Sequence, residues 1–260
     1  MLISLLPPPL RATDPFAPRE TLSDQVLKQI KEILLTGQVV PGETLSLRST
    51  AAALGVSVMP VRQAVYQLVA DHALEATPNR SVRVPMMSAT QFHEITQIRL
   101  EIESYAVAQA SERATPSLLR SLHEINAELS RCLEAGPQGL AQVVLLNKAL
   151  HFSLYEASGM PMLVKMIESL WLRIGPVLNY DLRAGSERTS NKIAIHHHAN
   201  LIDALEAHAV SAACDALRKD ILGAYHYIIS QHMGHSEGTP ERSPLLTSVR
   251  AEVKLSHRAN

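Results

Sequence analysis

The sequence predicts a mainly α chain: an N-terminal winged helix-turn-helix with a small β wing, then an all-α bundle of six helices. Three observations carry this. Apolar residues recur at helical spacing over most of residues 21–232. Period-two alternation is confined to "ALEATP" and "SVRVPM". Capping residues, prolines and glycines cut the helical pattern into discrete pieces.

Residues 1–19 are proline-rich without periodicity and are expected to form a flexible arm. The first helix opens at Thr21, where "TLSD" offers an N-cap with an acid three residues on. It carries Leu22, Val26, Ile30, Ile33 and Leu34 on one face and ends at Gly37. "VVPGETL" reads as a turn and "RSTAAAL" as a short helix stopped by Gly55. Ser57 caps a third helix, with Pro60 in its first turn, where a missing N–H is harmless. The two alternating segments, joined at Pro78-Asn79-Arg80, form the wing, so residues 20–86 make one unit. "SATQ" at Ser88 is a capping box that opens the bundle over 88–232. Its helices are expected at about 88–114, 115–135, 138–157, 161–182, 188–207 and 211–232, with 233–260 a disordered tail.

The chain has 260 residues, 46% apolar residues and a net charge of −1, the profile of a globular protein without a strongly basic character. Any contact with nucleic acid therefore needs a local basic patch. No apolar run approaches the roughly 20 residues of a membrane span, and "MLISLLPPPL" lacks the basic leader of a signal peptide. Cys132 and Cys214 sit in no redox or metal motif, and we read them as small buried residues of a cytoplasmic protein.

A helix-turn-helix followed by a wing places the N-terminal residues of the helix at 57–71 against base edges. Ser57, Arg62 and Gln63 on that helix, Arg48 before the second helix, and Arg80 and Arg83 on the wing are the polar groups available. A bare packing module with a few arginines is the alternative on spacing alone. Pro41-Gly42, Leu54-Gly55-Val56-Ser57 and Pro60-Val61-Arg62 occur in the order and spacing of a known pattern. This stretch resembles the DNA-binding domain of the GntR family of bacterial transcription regulators. The resemblance implies binding of a double-stranded DNA operator as a homodimer, with Arg48, Arg62 and Arg80 as contacts. Two departures stand out. Val58-Met59 replace the Arg-Thr often found after the serine, and Ser81 replaces a wing glycine. Met59 cannot make bidentate contacts but can touch a thymine methyl, so operator preference should differ.

In the bundle, "KIAIHHHANLIDAL" raises the question of which histidine is buried. Helical residues turn by about 100° each, which puts His198 within about 15° of the centre of the Leu201, Ile202 and Leu205 face. His197 lies about 90° off, and His196 points away. Three other helices also aim polar groups inward. Asn147 and His151 share a stripe with Val144 and Leu154, Asp220 lies between Leu217 and Ala224, and Arg99 lies between Ile95 and Ala106. A buried aspartate needs a cation or strong donors, and a buried arginine needs an anion. Four such helices point to one polar cavity.

"RLEIE" at 99–103, "NKALHFSLYEASGMP" at 147–161 and "HANLIDAL" at 198–205 make this bundle resemble the FCD effector domain, the FadR-like partner of many GntR heads. Such domains often hold a divalent metal by an aspartate and three histidines and bind a small organic-acid effector beside it. By this resemblance His151 and His198 are metal ligands, Asn147 stands where an aspartate is usual, and Asp220 stands where the last histidine is usual. The formal ligand charge is unchanged at one negative. One nitrogen donor is lost and a weak carbonyl is gained, which moves preference from zinc or nickel toward manganese. Arg99 is assigned to the effector's carboxylate. A metal-free cavity in which Asp220 pairs with a histidine is the alternative. The implied function is a transcription regulator, a repressor, rather than an enzyme. A constitutive dimeric DNA-binding protein and a metal-dependent enzyme are the rivals. The sequence offers the enzyme no general base beyond the ligands.

Overall fold

A computed structural model describes residues 21–77, 81–183 and 191–233. The predicted arm, nearly all of the predicted tail and Arg80 lie outside these residues. Helix α1 (Leu22–Leu35) starts in a complete capping box between Thr21 and Asp24 and packs on α3 (Val58–Ala70) through Val26, Ile30 and Leu34. Helix α2 (Leu47–Leu54) ends at Gly55, whose left-handed φ of 67° suits glycine. Ser57 holds the N-cap position of α3, but its hydroxyl makes no capping hydrogen bond. That corrects the expected cap and leaves the hydroxyl facing outward, since Ser57 is exposed.

The wing has one strand more than predicted. Strands β2 (Glu75–Ala76) and β3 (Val82–Arg83) pair antiparallel as expected, with Glu75 opposite Arg83. The far edge of β3 is taken by β1 (Thr44–Leu45), from the segment read as a turn. Two residues are too short for alternation to register, and only the paired β3 backbone makes them a strand.

The bundle comprises α4 (Ala89–Glu112), α5 (Pro116–Glu134), α6 (Leu140–Ala157), α7 (Pro161–Arg183), α8 (Ile193–Glu206) and α9 (Val210–Ile228), with a π-turn at Ile229–Met233. Capping boxes or caps at Ser88 and Thr115 open the first two. Helix α8 begins later than the predicted 188, because Lys192 sits in the left-handed region at φ 51° and breaks the helix before Ile193. The cysteines are half-buried rather than buried; Cys214 Sγ donates to the Ser104 carbonyl at 3.4 Å.

Head and bundle meet along α1. Ion pairs of Lys31 with Glu168 and of Lys148 with Glu32 cross between them, and Asn179 on α7 donates to the Leu35 carbonyl at 2.6 Å. Around the polar centre, α4, α6, α7, α8 and α9 pack side by side with His151 and His198 fully enclosed.

Candidate functional site

Helical phase positions the centre as the sequence implies. Across the three histidines, His196 is exposed, His197 half-buried and His198 buried at 0% exposure. From α6, His151 is buried and Asn147 half-buried; from α9, Asp220 turns inward between Leu217 and Ala224. Donor atoms of His151, His198 and Asp220 all lie within 4.8 Å of one another. His151 Nε2 is 3.4 Å and His198 Nε2 3.8 Å from Asp220 Oδ2. Asn147, Arg99, Trp171 and Asn179 line, with His151 and Asp220, a cavity of about 20 Å³, which is room for one ion or water.

Proton bookkeeping decides what faces what. Glu103 is fully buried and accepts from Arg99 Nε at 2.6 Å, Arg99 Nη2 at 3.2 Å, Tyr155 Oη at 2.5 Å and Trp171 Nε1 at 2.9 Å. Those donors match the roughly four lone-pair sites of a carboxylate. Burial and the neighbouring Glu103 charge push the Tyr155 hydroxyl well above its ordinary pKa, so it stays a donor. Its proton goes to Glu103, so at the 3.2 Å contact with His151 Nδ1 the histidine donates. His151 Nε2 faces the Asp220 carboxylate.

His198 is starker. Both ring nitrogens are buried without a hydrogen-bond partner among the described residues. Burial lowers its pKa and outweighs the pull of Asp220, favouring the neutral ring. Burial would raise the pKa of Asp220, but the two imidazoles facing it more than offset this and hold its carboxyl well below the usual range. An ionised carboxylate thus faces two imidazoles, and neither ring nitrogen of His198 has a hydrogen-bond partner among the described residues. An orphaned buried polar group costs about 1–3 kcal/mol. One shared cation would satisfy all three groups. Bonds of about 2.0–2.1 Å at tetrahedral angles put ligand atoms about 3.3 Å apart, close to the observed separations. The residues present therefore fit a divalent metal, with the carbonyl of Asn147 as a further oxygen donor.

Arg99 points inward, as its stripe requires, but the anion it meets is Glu103, one turn along the same helix. Its guanidinium also lies 5.1 Å from the Trp171 ring centroid. Burial works against its charge, and Glu103 more than restores it. Sequence reasoning missed Glu103, Tyr155 and Trp171. The Arg-to-Glu spacing of four within "RLEIE" was the available signal.

On the head, α3 exposes Met59, Arg62, Gln63 and Tyr66 on one face. Arg48 is also exposed. Met59 at 56% and Tyr66 at 65% exposure are large apolar groups that the head itself leaves uncovered. Gln63 is tied to α1 by the Ser23 hydroxyl, and Arg83 is paired to Glu75 across the wing. Arg83 thus has its charge matched locally, which sets it apart from Arg48 and Arg62.

Known proteins share both halves. Residues 22–84 match the model of the bacterial regulatory proteins of the gntR family, and residues 94–222 match that of the FCD domain. The chain is 38% identical over 160 residues to the HTH-type transcriptional regulator McbR of Escherichia coli (strain K12), covering 62% of this chain and 72% of that protein. The chain belongs to the GntR family, in its FCD-domain branch. A solved structure described as E. coli McbR/YncC superposes with a TM-score of 0.75 at 32% identity, over 82% of this chain and 99% of that one. A regulator from Rhodococcus sp. RHA1 shares the fold, with a TM-score of 0.65 at 20% identity over 81% of this chain and 98% of that one. The protein is accordingly a DNA-binding transcriptional regulator of GntR/FCD type. Among the described residues, no helix is long and apolar enough to cross a membrane.

Proposed function

We propose that this regulator binds its operator as a homodimer in the cytoplasm, most simply as a repressor. In this reading a small carboxylate metabolite, held beside a divalent metal in the bundle, sets its grip on DNA. The head over 20–86 reads DNA through Arg48, Ser57, Met59 and Arg62, with Arg80 at the wing. The bundle over 88–232 senses the metabolite. The observation that carries the metal is the convergence of His151, His198 and Asp220 donor atoms within 4.8 Å, with both ring nitrogens of the buried His198 unsatisfied among the described residues. His151, His198, Asp220 and Asn147 would hold the ion, which when bound supplies a positive centre that offsets Asp220 and attracts a carboxylate. Arg99 Nη1, outside the bonds to Glu103, is the nitrogen left to meet that effector.

This cavity has room for one ion, and a hollow of about 130 Å³ shares Asp220 and Ala224 with it, so an effector either occupies that hollow or displaces the cavity walls. A second reading rests on Glu103. Because it already matches Arg99, a bundle that only dimerises would have no unpaired arginine to explain.

Two measurements separate these. Affinity for a duplex selected from random DNA is measured with manganese- or zinc-loaded and with chelator-stripped protein. The sensor reading expects at least about a fivefold difference, the lower end of ordinary coupling. Equal affinities that stay equal across a panel of small carboxylates favour the constitutive dimer. On the head, Arg62→Ala is expected to weaken binding by about 10- to 100-fold, the worth of a bidentate base contact, whereas Arg83→Ala changes it far less. Gel shift on the same duplex reads both, and equal losses would remove Arg62 from the interface.

A further inference from the structure

We propose that Asn179 is the positioning residue through which the state of the cavity reaches the DNA-binding head. This rests on the reading of the chain as a ligand-responsive regulator, and it names the contact that carries the response.

Asn179 belongs to both parts. It is buried at 3% exposure and lines the cavity that holds His151, Asp220 and Arg99. Its Nδ2 donates at 2.6 Å to the carbonyl of Leu35, the last residue of α1. The final carbonyls of a helix have no partner within the helix, so a side chain of the bundle caps a helix of the head.

The packing around this bond leaves little slack. Gly37, at φ 59°, sits so close that a Cβ there would lie 2.2 Å from the Asn179 Cβ. A Cβ on Gly175, one turn earlier on α7, would lie 3.0 Å from the Leu34 carbonyl oxygen. Backbone therefore meets backbone, with no long side chain between to absorb a displacement. By contrast, the flanking pairs of Lys31 with Glu168 and Lys148 with Glu32 are half-exposed and adaptable.

The cavity bears directly on α7. At about 20 Å³ it admits nothing larger than one ion or water. Trp171, Leu178, Asn179 and Leu182 make its α7 wall. Pro176 lies inside that helix and has no N–H, so the ladder is broken beside the contact and bending is cheapest there. Movement of this wall carries Asn179, and with it the end of α1. Helix α1 in turn packs on α3 through Val26 and Ile30, and its Ser23 bonds Gln63 on the recognition face. Head and recognition helix then move as one body.

The test uses the single tryptophan, Trp171, as the reporter of the cavity. Full-length, metal-stripped protein is titrated with a duplex selected from random DNA by the wild type, and Trp171 emission is followed. Coupling is reciprocal, so DNA on the head should change the emission of the wild type. In Asn179→Ala, and in Asn179→Leu, which keeps the branched shape but has no donor, this response should fall at least about fivefold. Circular dichroism should stay that of the wild type, and DNA affinity within about threefold. Lys31→Met, which breaks a flanking ion pair, should keep the response. A wild type whose emission ignores DNA overturns the proposal, and so does an Asn179→Leu variant that responds like the wild type. The comparison of loaded and stripped wild type reads the sensor function separately. A DNA affinity indifferent to metal and carboxylates, with a Trp171 response that still needs Asn179, defeats that function and leaves the contact standing.

Discussion

Replacing Glu103 by alanine is expected to cost about 3–5 kcal/mol of folding stability, the usual result of breaking a buried ion pair from one side. The size follows from what the carboxylate satisfies. Arg99 is 4% exposed and cannot turn to water, so removing Glu103 leaves a buried guanidinium without its anion. Tyr155 and Trp171 lose their acceptor at the same time. Glu103→Gln should cost less, because the amide oxygen still accepts while the charge is lost. The double change Arg99→Met with Glu103→Leu should recover only part of the loss, since it removes the unpaired charge but leaves Tyr155 and Trp171 without their acceptor. Urea unfolding of stripped protein reads all three as midpoint shifts at constant slope. A loss under about 1 kcal/mol for Glu103→Ala would show that Arg99 is served by other groups.

What the sequence could and could not disclose follows from how local each cause is. His198 was distinguishable from its two neighbours because helical phase alone fixes its direction, and Leu201, Ile202 and Leu205 define the buried face within two turns. Asp220 and His151 were legible in the same way, as polar residues on apolar stripes. The role of Glu103 was not, because its partners come from α4, α6 and α7 and meet only after the bundle packs. The buried line of α4 runs through Arg99, Glu103 and Ala106, with Ile102 half-buried. β1 escaped for a similar reason, since its strand character is lent by β3 across the sheet. The contact of Asn179 with Leu35 joins residues 144 apart, and no periodicity reports a pairing at that distance.

Alanine at His198 is expected to weaken binding of manganese or zinc by at least about a hundredfold, read by competition with a chromophoric chelator. Loss of groups that merely orient a ligand already costs about 10- to 100-fold, and His198 would supply a ligand atom itself. His151→Ala and Asp220→Asn should behave alike. Asn147→Ala should cost less, because a neutral carbonyl is the weakest donor of the set. His196→Ala, at an exposed position on the outer face of α8, should bind as the wild type does. Acid should act in the same direction as the His198 change. An imidazole must be neutral to bind a metal, so affinity should fall as pH drops below the ordinary histidine value of 6.5. The alternative, in which a proton on His151 offsets Asp220, predicts otherwise. Stripped protein would then show no metal affinity to lose, and His198→Ala would change only stability. The unsatisfied His198 ring beside an ionised carboxylate favours the cation, and wild-type protein without measurable affinity for either ion would decide for the proton.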